Sequence, residues 1–335
     1  MTDVRRRWAV VVAVAALPAA LACTPTTEKE CAADDQCAVG LVCRGGRCLR
    51  NDTGTDAGSP DAGGAPDAGG SVDAGNTPDA ATQHDGGQAD AGAACPHDED
   101  NTLTAAELPL ALGVPVRFLE AADAGPLAVD LVGTVASGAV QWDFTGAVPG
   151  DRPIEVSALA LDGLWFKDHY PEATYVVALD GAATLYAVYR RTATELTLLG
   201  EASAALDVTR TVHTPPVTVL RFPLVLGVSF STTTQTTGTL EGNPFYLSND
   251  TYELTVDAAG RVLVPAGSFH TLRVRLVQDV SVPIAVWPFA LNYHWVRYSF
   301  MTPCYGVVTQ VVSQEGEAEV VFTQAAELRR LGLPP

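Results

Sequence analysis

The stretch Thr251-Tyr252-Glu253-Leu254-Thr255-Val256-Asp257-Ala258-Ala259-Gly260-Arg261-Val262-Leu263-Val264 alternates. Tyr252, Leu254 and Val256 fall on one side and Thr251, Glu253 and Thr255 on the other, the period-two pattern of a half-buried strand. Asp257-Ala258-Ala259-Gly260 reads as a turn, so the stretch is expected to fold back on itself. Pro265-Ala266-Gly267 reads as a second turn, and the next strand sends Leu272, Val274 and Leu276 inward and Arg273 and Arg275 outward.

The same rhythm runs outward in both directions. Val140, Trp142 and Phe144 alternate with polar neighbours, as do Ile154, Val156 and Ala158, then Tyr175, Val177 and Leu179, then Leu185, Ala187 and Tyr189, then Leu206, Val208 and Val212. Strands are expected again around 307–312 and 318–323, and the chain is expected to close with a short helix at 325–331, stopped by Gly332 and Pro334. One other helix start stands out: Thr104-x-x-Glu107 is a capping box, with Leu103 and Leu108 in the staple positions and Pro109 limiting the helix to a turn or two. Roughly a dozen strands in about 240 residues, without a βαβ rhythm, imply a mainly β fold. The expected form is a curved antiparallel sheet or partly closed barrel with short helices; a two-sheet sandwich is the alternative.

The region before this domain, 95–335, is built differently. Residues 1–22 read as a lipoprotein signal peptide: Arg5, Arg6 and Arg7 precede an uncharged run from Trp8 to Leu21, too short to span a bilayer, and Ala20-Leu21-Ala22 is a small-x-small cleavage site. Cys23 follows at once, so this segment resembles the lipobox of bacterial lipoproteins, and the resemblance implies diacylation of the Cys23 thiol. Cysteine arithmetic agrees, since seven Cys is odd for an exported chain and giving Cys23 to lipid leaves six. Thr24 after that Cys resembles lipoproteins destined for the outer membrane, which places the expected anchor there, facing the periplasm or the cell surface.

Residues 23–50 form a Cys-rich disulfide module with Cys31, Cys37, Cys43 and Cys48. So short a stretch cannot bury a core, and disulfides must replace one. Val42–Leu49 reads as a β-hairpin turning at Gly45-Gly46. Of three pairings, Cys31–Cys43 with Cys37–Cys48 is the favoured one; a zinc site is disfavoured because there is no Cys-x-x-Cys. Cys95 and Cys304 remain, near the two ends of the β domain, and are expected to bond.

Residues 51–94 form a linker in which Pro60-Asp61-Ala62-Gly63 recurs approximately every six residues. Its 51–93 stretch holds eight Asp and no Lys, Arg or aromatic residue. With nothing to bury it cannot offset the entropy of ordering, so it is expected to be a disordered tether reaching about 35–40 Å. A calcium-binding Asp repeat is the rival reading, and it lacks the Gly-x-Asp pattern of β-rolls.

Composition bounds function more than it identifies it. The formal net charge is −19, and removing residues 1–22, with three Arg and one Asp, makes the mature chain more negative still. Nucleic acid should be repelled. No Gly-x-Ser-x-Gly elbow, His-Glu-x-x-His motif or phosphate-cradling loop occurs, so no catalytic residue, cofactor or metal ligand is assigned. The acidic Asp98-Glu99-Asp100 lead-in fails as an EF-hand, with no Gly at the sixth position and Pro109 at the twelfth. His213, His270 and His294 sit in strand-like stretches, where a satisfied sheet histidine is the plain expectation.

Two aromatic runs are the candidate ligand-lining residues: Trp165, Phe166 and His169 in one, Trp287, Tyr293 and Trp295 in the other. In a curved sheet they could line an apolar cavity; the alternative is that they are simply core.

Three stretches carry a family resemblance. Arg221–Phe230 (RFPLVLGVSF), Gly260–Phe269 (GRVLVPAGSF) and Phe300–Val308 (FMTPCYGVV) resemble segments of an uncharacterised family of exported bacterial lipoproteins. That family is β-barrel-like half-shells of unknown function, distantly similar to Lol-type lipoprotein carriers. Phe230 stands where it often has Trp, and Cys304 where Gly is usual. The resemblance implies fold and not activity. The expectation is therefore a lipid-anchored envelope protein whose non-catalytic β domain binds an apolar ligand or an envelope protein, with an extracytoplasmic hydrolase of dispersed catalytic residues as the alternative.

Overall fold

The computed structural model describes residues 41–44, 47–50, 95, 100–122, 125–136, 138–284 and 290–332. The expected signal segment, Cys23, the tether, Cys31, Cys37, the side chains of Cys43 and Cys48, and Trp287 lie outside the described residues. The chain divides into two units. In the smaller one the expected hairpin is present: Leu41–Arg44 pairs antiparallel with Arg47–Arg50, and Cys43 stands opposite Cys48.

The larger unit is a closed, almost wholly antiparallel barrel. Its spine is a meander of four long strands, Ser229–Leu240, Asn243–Val264, Gly267–Pro283 and Ala290–Thr302. These are rich in Thr, Val and aromatic residues, whose side chains suit a pleated surface. Gly306–Ser313, Gln324–Leu331 and Val116–Ala121 continue the sheet. Arg152–Val156 pairs with Val116–Ala121, and Ala158–Leu159, just beyond it, pairs with Tyr175–Ala178. From there Leu185–Arg191, Glu195–Ser203 and Arg210–Thr214 lead back to Ser229–Leu240. Closure removes the unpaired strand edges that an open sheet would present.

The alternation read at 251–256 is correct: Tyr252, Leu254 and Val256 are buried, as are Leu272, Val274 and Leu276 across from them. The expected turn at Asp257–Gly260 does not form. Asn243–Val264 is one continuous strand, and the register merely shifts between Val256 and Ala258. This is a β-bulge, which aims Asp257 at Arg273 (Nε to Oδ1, 2.8 Å) and Arg275. Gly260 serves close approach instead of a turn, because a Cβ there would stand 2.3 Å from Val140 O on a strand that pairs in parallel alongside. The chain reverses at Pro265-Ala266, where Val264 faces Gly267.

The expected helices are corrected as well. Residues 325–331 lie in a strand, Gln324–Leu331, held between Gly306–Ser313 and Val116–Ala121. Local helix propensity loses here because Leu328 packs on one side of the sheet while Glu327 and Arg329 point into a buried ionic cluster on the other. The Thr104 capping box forms: Thr104 N donates to Glu107 Oε2 (2.8 Å) and Glu107 N to Thr104 Oγ1 (3.4 Å). It closes a turn, however, and not a helix. Residues 318–323 are irregular where a strand was expected. Leu206 and Val208 precede the strand that was read through them, which begins at Arg210.

Two layers cover the outside of the barrel. On one flank Trp142 and Phe144 pack edge-on against Phe300, at 5.1 and 5.4 Å between ring centres. On the other, Leu161, Phe166 and Tyr170 cover the outward side chains Val176, Tyr186 and Val188. The Cys95–Cys304 disulfide is present, with Cα atoms 5.7 Å apart. It closes a 209-residue separation, for which the chain-entropy account gives about 5 kcal/mol as an upper figure.

Candidate binding cavity

Antiparallel order puts the turns after Ala178, Ser203, Leu240 and Pro283 at the same end of the barrel. A cavity of about 370 Å³ opens there. Strand alternation supplies its walls: Leu185, Glu201, His213, Tyr252, Gln278 and Val280 all point inward, while Ala204, Ala205, Val208, Leu240 and Glu241 come from the turns at the mouth. The volume falls in the range of small-molecule sites, as does the mix of apolar walls with a few convergent polar groups.

The floor is a chain of buried polar side chains. Glu201 Oε1 lies 3.2 Å from His213 Nε2, and His213 Nδ1 lies 2.8 Å from Thr236 Oγ1. Thr236 gives its one hydroxyl proton to Asp250 Oδ2, so His213 Nδ1 must be the donor to Thr236. Thr211 donates to Glu201 Oε2 in the same way. Glu201 and His213 are left sharing a proton along the Oε1···Nε2 contact. Burial alone would push the Glu201 carboxyl up, but the His213 charge and hydrogen bond, with Thr211, hold it below the usual range. Burial would push His213 down, but Glu201, aided by Asp250, holds the imidazole above its usual range. Between the two groups' ordinary values, about pH 4.5 to 6.5, the pair is therefore ionic. Asp250 is held up by burial, against the hydrogen bonds of Thr236 and Ser248 and the charge of His213.

Close packing of backbones brings these groups together. A Cβ on Gly200 would stand 1.9 Å from Thr211 O, and one on Gly238 2.1 Å from Arg210 O. The two glycines let Arg210–Thr214 press between its neighbours, which sets Thr211 and His213 over the cavity. From outside the barrel Tyr170 OH donates to Glu201 O (2.9 Å) and also lies against Thr211 O, tying the same two strands together.

The sequence-predicted aromatics stand elsewhere. Trp165, Phe166 and His169 belong to the outer layer: Phe166 is buried on the outward side of the sheet, Trp165 Nε1 donates to Ser203 O (2.9 Å), and His169 is exposed at the edge of Trp165. Tyr293 and Trp295 stack in parallel, 5.7 Å apart, directly across the ladder from Val280 and Gln278. They flank the cavity wall and are not among the residues lining it. Sequence reasoning missed Glu201 and Asp250; the signal available was a carboxylate at an inward register position in each strand. It read His213 as a satisfied sheet histidine, and that histidine is satisfied by the very groups that form the floor.

The hydroxyl against His213 is that of Thr236, already given to Asp250, and Ser203 Oγ donates instead to the turn carbonyls of Ala205 and Thr209. Among the described residues no group of three or more His, Cys, Asp or Glu is arranged to hold a metal ion, and no helix is long and apolar enough to cross a membrane. No protein-family profile, no curated protein and no solved structure matches this chain.

Proposed function

We propose that this chain is an exported lipoprotein of the bacterial outer membrane, anchored at Cys23, whose barrel binds a small amphipathic molecule in the cavity at its open end. The single observation that carries the reading is the cavity itself, about 370 Å³ with apolar walls and a polar floor. Its mouth supports the same reading. Leu206 and Phe245, in or beside the turns at that end, are 68% and 88% exposed, and Leu247 and Leu291 are exposed nearby. Exposed apolar groups gathered at one end of a fold mark an interaction site more often than chance scatter. The tether expected at 51–94 would give the barrel reach away from its anchor.

The test uses the full chain and N-phenyl-1-naphthylamine, a neutral probe that brightens in apolar surroundings. The probe should bind, and Val280→Phe, which fills the cavity from its wall, should weaken it about tenfold or more. A probe signal unchanged by Val280→Phe and by Ala205→Trp at the mouth rejects the cavity as the site. The anchor is tested separately: Cys23→Ser should move the protein from the membrane fraction to the soluble one.

A further inference from the structure

Resting on that reading of the cavity, we infer that its ligand carries an amine-type cationic head, taken between Glu201, Asp250 and the rings of Tyr246 and Tyr252. Among the described residues the charged side chains lining the cavity are Glu201, Glu241, Asp250 and His213, with no Lys or Arg. Two buried carboxylates, Glu201 and Asp250, therefore share a single imidazolium, with neutral hydroxyls, Thr211 on one and Thr236 and Ser248 on the other, as further partners. A buried negative charge without a full positive partner is unfavourable, and it is relieved by any cation that can enter. Burial, with the nearby Glu201, holds the Asp250 carboxyl above its usual range.

The rest of the lining fits the same head group. Tyr246 and Tyr252 are among the lining residues, and ammonium groups are attracted to aromatic rings, most strongly where water is excluded. Leu185, Val208, Leu240 and Val280 offer apolar surface for a tail. Glu241, exposed at the mouth, favours the approach of cations over anions. A carboxylate ligand would meet three acidic side chains and one imidazole. A neutral alcohol would find hydrogen-bonding partners but no charge to neutralise.

Binding of a cation should also displace a proton. His213 is faced by Glu201 from one strand and Asp250 from another, with Thr211, Thr236 and the neutral Tyr252 completing its surroundings. Arg297 lies behind Tyr252 in the neighbouring cluster. An ammonium group beside Glu201 repels the imidazolium, so it binds best once His213 is neutral. Amine affinity should therefore rise as pH climbs above about 6.5 and through the raised His213 value, while an alkylamine itself stays protonated to about pH 10.

The experiment titrates the full chain by calorimetry with octylamine, octanoate and 1-octanol, three ligands with the same tail. Octylamine is expected to bind at least about tenfold tighter than either of the others and to release protons, read as a dependence of the heat on buffer ionisation. Glu201→Gln should bring octylamine to within about threefold of 1-octanol while leaving 1-octanol unchanged. If that variant does not fold, Asp250→Asn or the exposed Glu241→Gln replaces it, and the series on the unmodified chain stands without any variant. Octanoate or 1-octanol binding as tightly as octylamine overturns the cation inference and leaves the cavity a ligand site. Failure of all three while N-phenyl-1-naphthylamine binds also overturns it. Failure of all four overturns both readings.

Discussion

Two clusters of buried charge lie inside the same barrel, on different strands, and they are built differently. In one, Arg329 Nη2 reaches Glu120 Oε1 (2.7 Å) and Glu327 Oε1 (3.3 Å), while Arg152 Nη2 reaches Glu120 Oε2 (2.7 Å). Burial pushes Glu120 up, but Arg329 and Arg152 together pull harder and hold its carboxyl below the usual range. Arginine heads fill the space between the carboxylates. In the other, Glu201 and Asp250 have one histidine and two threonines, and a cavity beside them. In the first cluster the protein's own arginines stand against both carboxylates, while burial, with Glu120, still holds Glu327 above its usual range. The second has room for a cation that the protein does not supply. Burial of a carboxylate alone therefore does not mark a site; an incomplete set of partners next to open volume does.

The largest effect is expected where the protein completes its own cluster. Arg329→Met leaves Glu120 and Glu327 buried with their shared partner gone, which should cost about 3–5 kcal/mol in urea unfolding. A loss under about 1 kcal/mol would mean that Glu120 and Glu327 are held by Arg152 and Arg297 alone, and would erase the distinction between the clusters.

A smaller effect, about 1–3 kcal/mol, is expected for His213→Gln, which leaves Glu201 without its charged partner. Its pH dependence separates it from the first cluster. His213 is raised when folded, so its contribution is complete below the unfolded pKa of about 6.5 and is lost as pH rises through the folded value. Glu201 is lowered when folded, so its contribution is present above about pH 4.5 and is lost as pH falls through the folded value. The difference between the wild-type chain and His213→Gln should therefore peak between about pH 4.5 and 6.5 and shrink on the alkaline side. The Glu120 contribution should fade only in acid, because no histidine takes part. Melting curves across pH for both variants check this; a His213→Gln deficit that stays flat to about pH 9 would show that no proton is shared.

Much of the architecture was legible in the sequence. Tyr252, Leu254 and Val256, and Leu272, Val274 and Leu276 across the ladder, are read correctly because a strand with one face in the core must alternate. What misled was local chemistry overruled from a distance. Asp-Ala-Ala-Gly at 257–260 has the composition of a turn, yet the partner strand on each side keeps the chain extended. Ala-Glu-Leu-Arg-Arg-Leu at 326–331 has the composition of a helix, yet both neighbours hold it in the sheet. The cavity was not legible, because it depends on which inward residues meet across the barrel. Glu201 and His213 are twelve residues apart, and Asp250 comes from a strand two further round the sheet from that of His213. The Trp165–His169 run drew notice for its aromatic density, and its role is to cover the outside of the same strands.

The smallest effect comes from a pair on the same ladder as the filled cluster. Arg117–Glu155 and Glu120–Arg152 are pairings of the same two strands, separated by Phe118–Ile154 and Leu119–Pro153. Arg117 Nη2 and Glu155 Oε1 are 3.3 Å apart, but their side chains are 38% and 58% exposed. Water screens them and no desolvation penalty has been incurred, so little is lost when one is removed. Glu155→Gln should change stability by less than about 0.5 kcal/mol, and that small change should vanish in about 1 M salt. The Arg329→Met loss should persist in the same salt, because a buried pair is screened far less than an exposed one. If the two variants respond alike to salt, the inner cluster is wet, and the contrast with the cavity would rest on volume alone and not on the completeness of its charges.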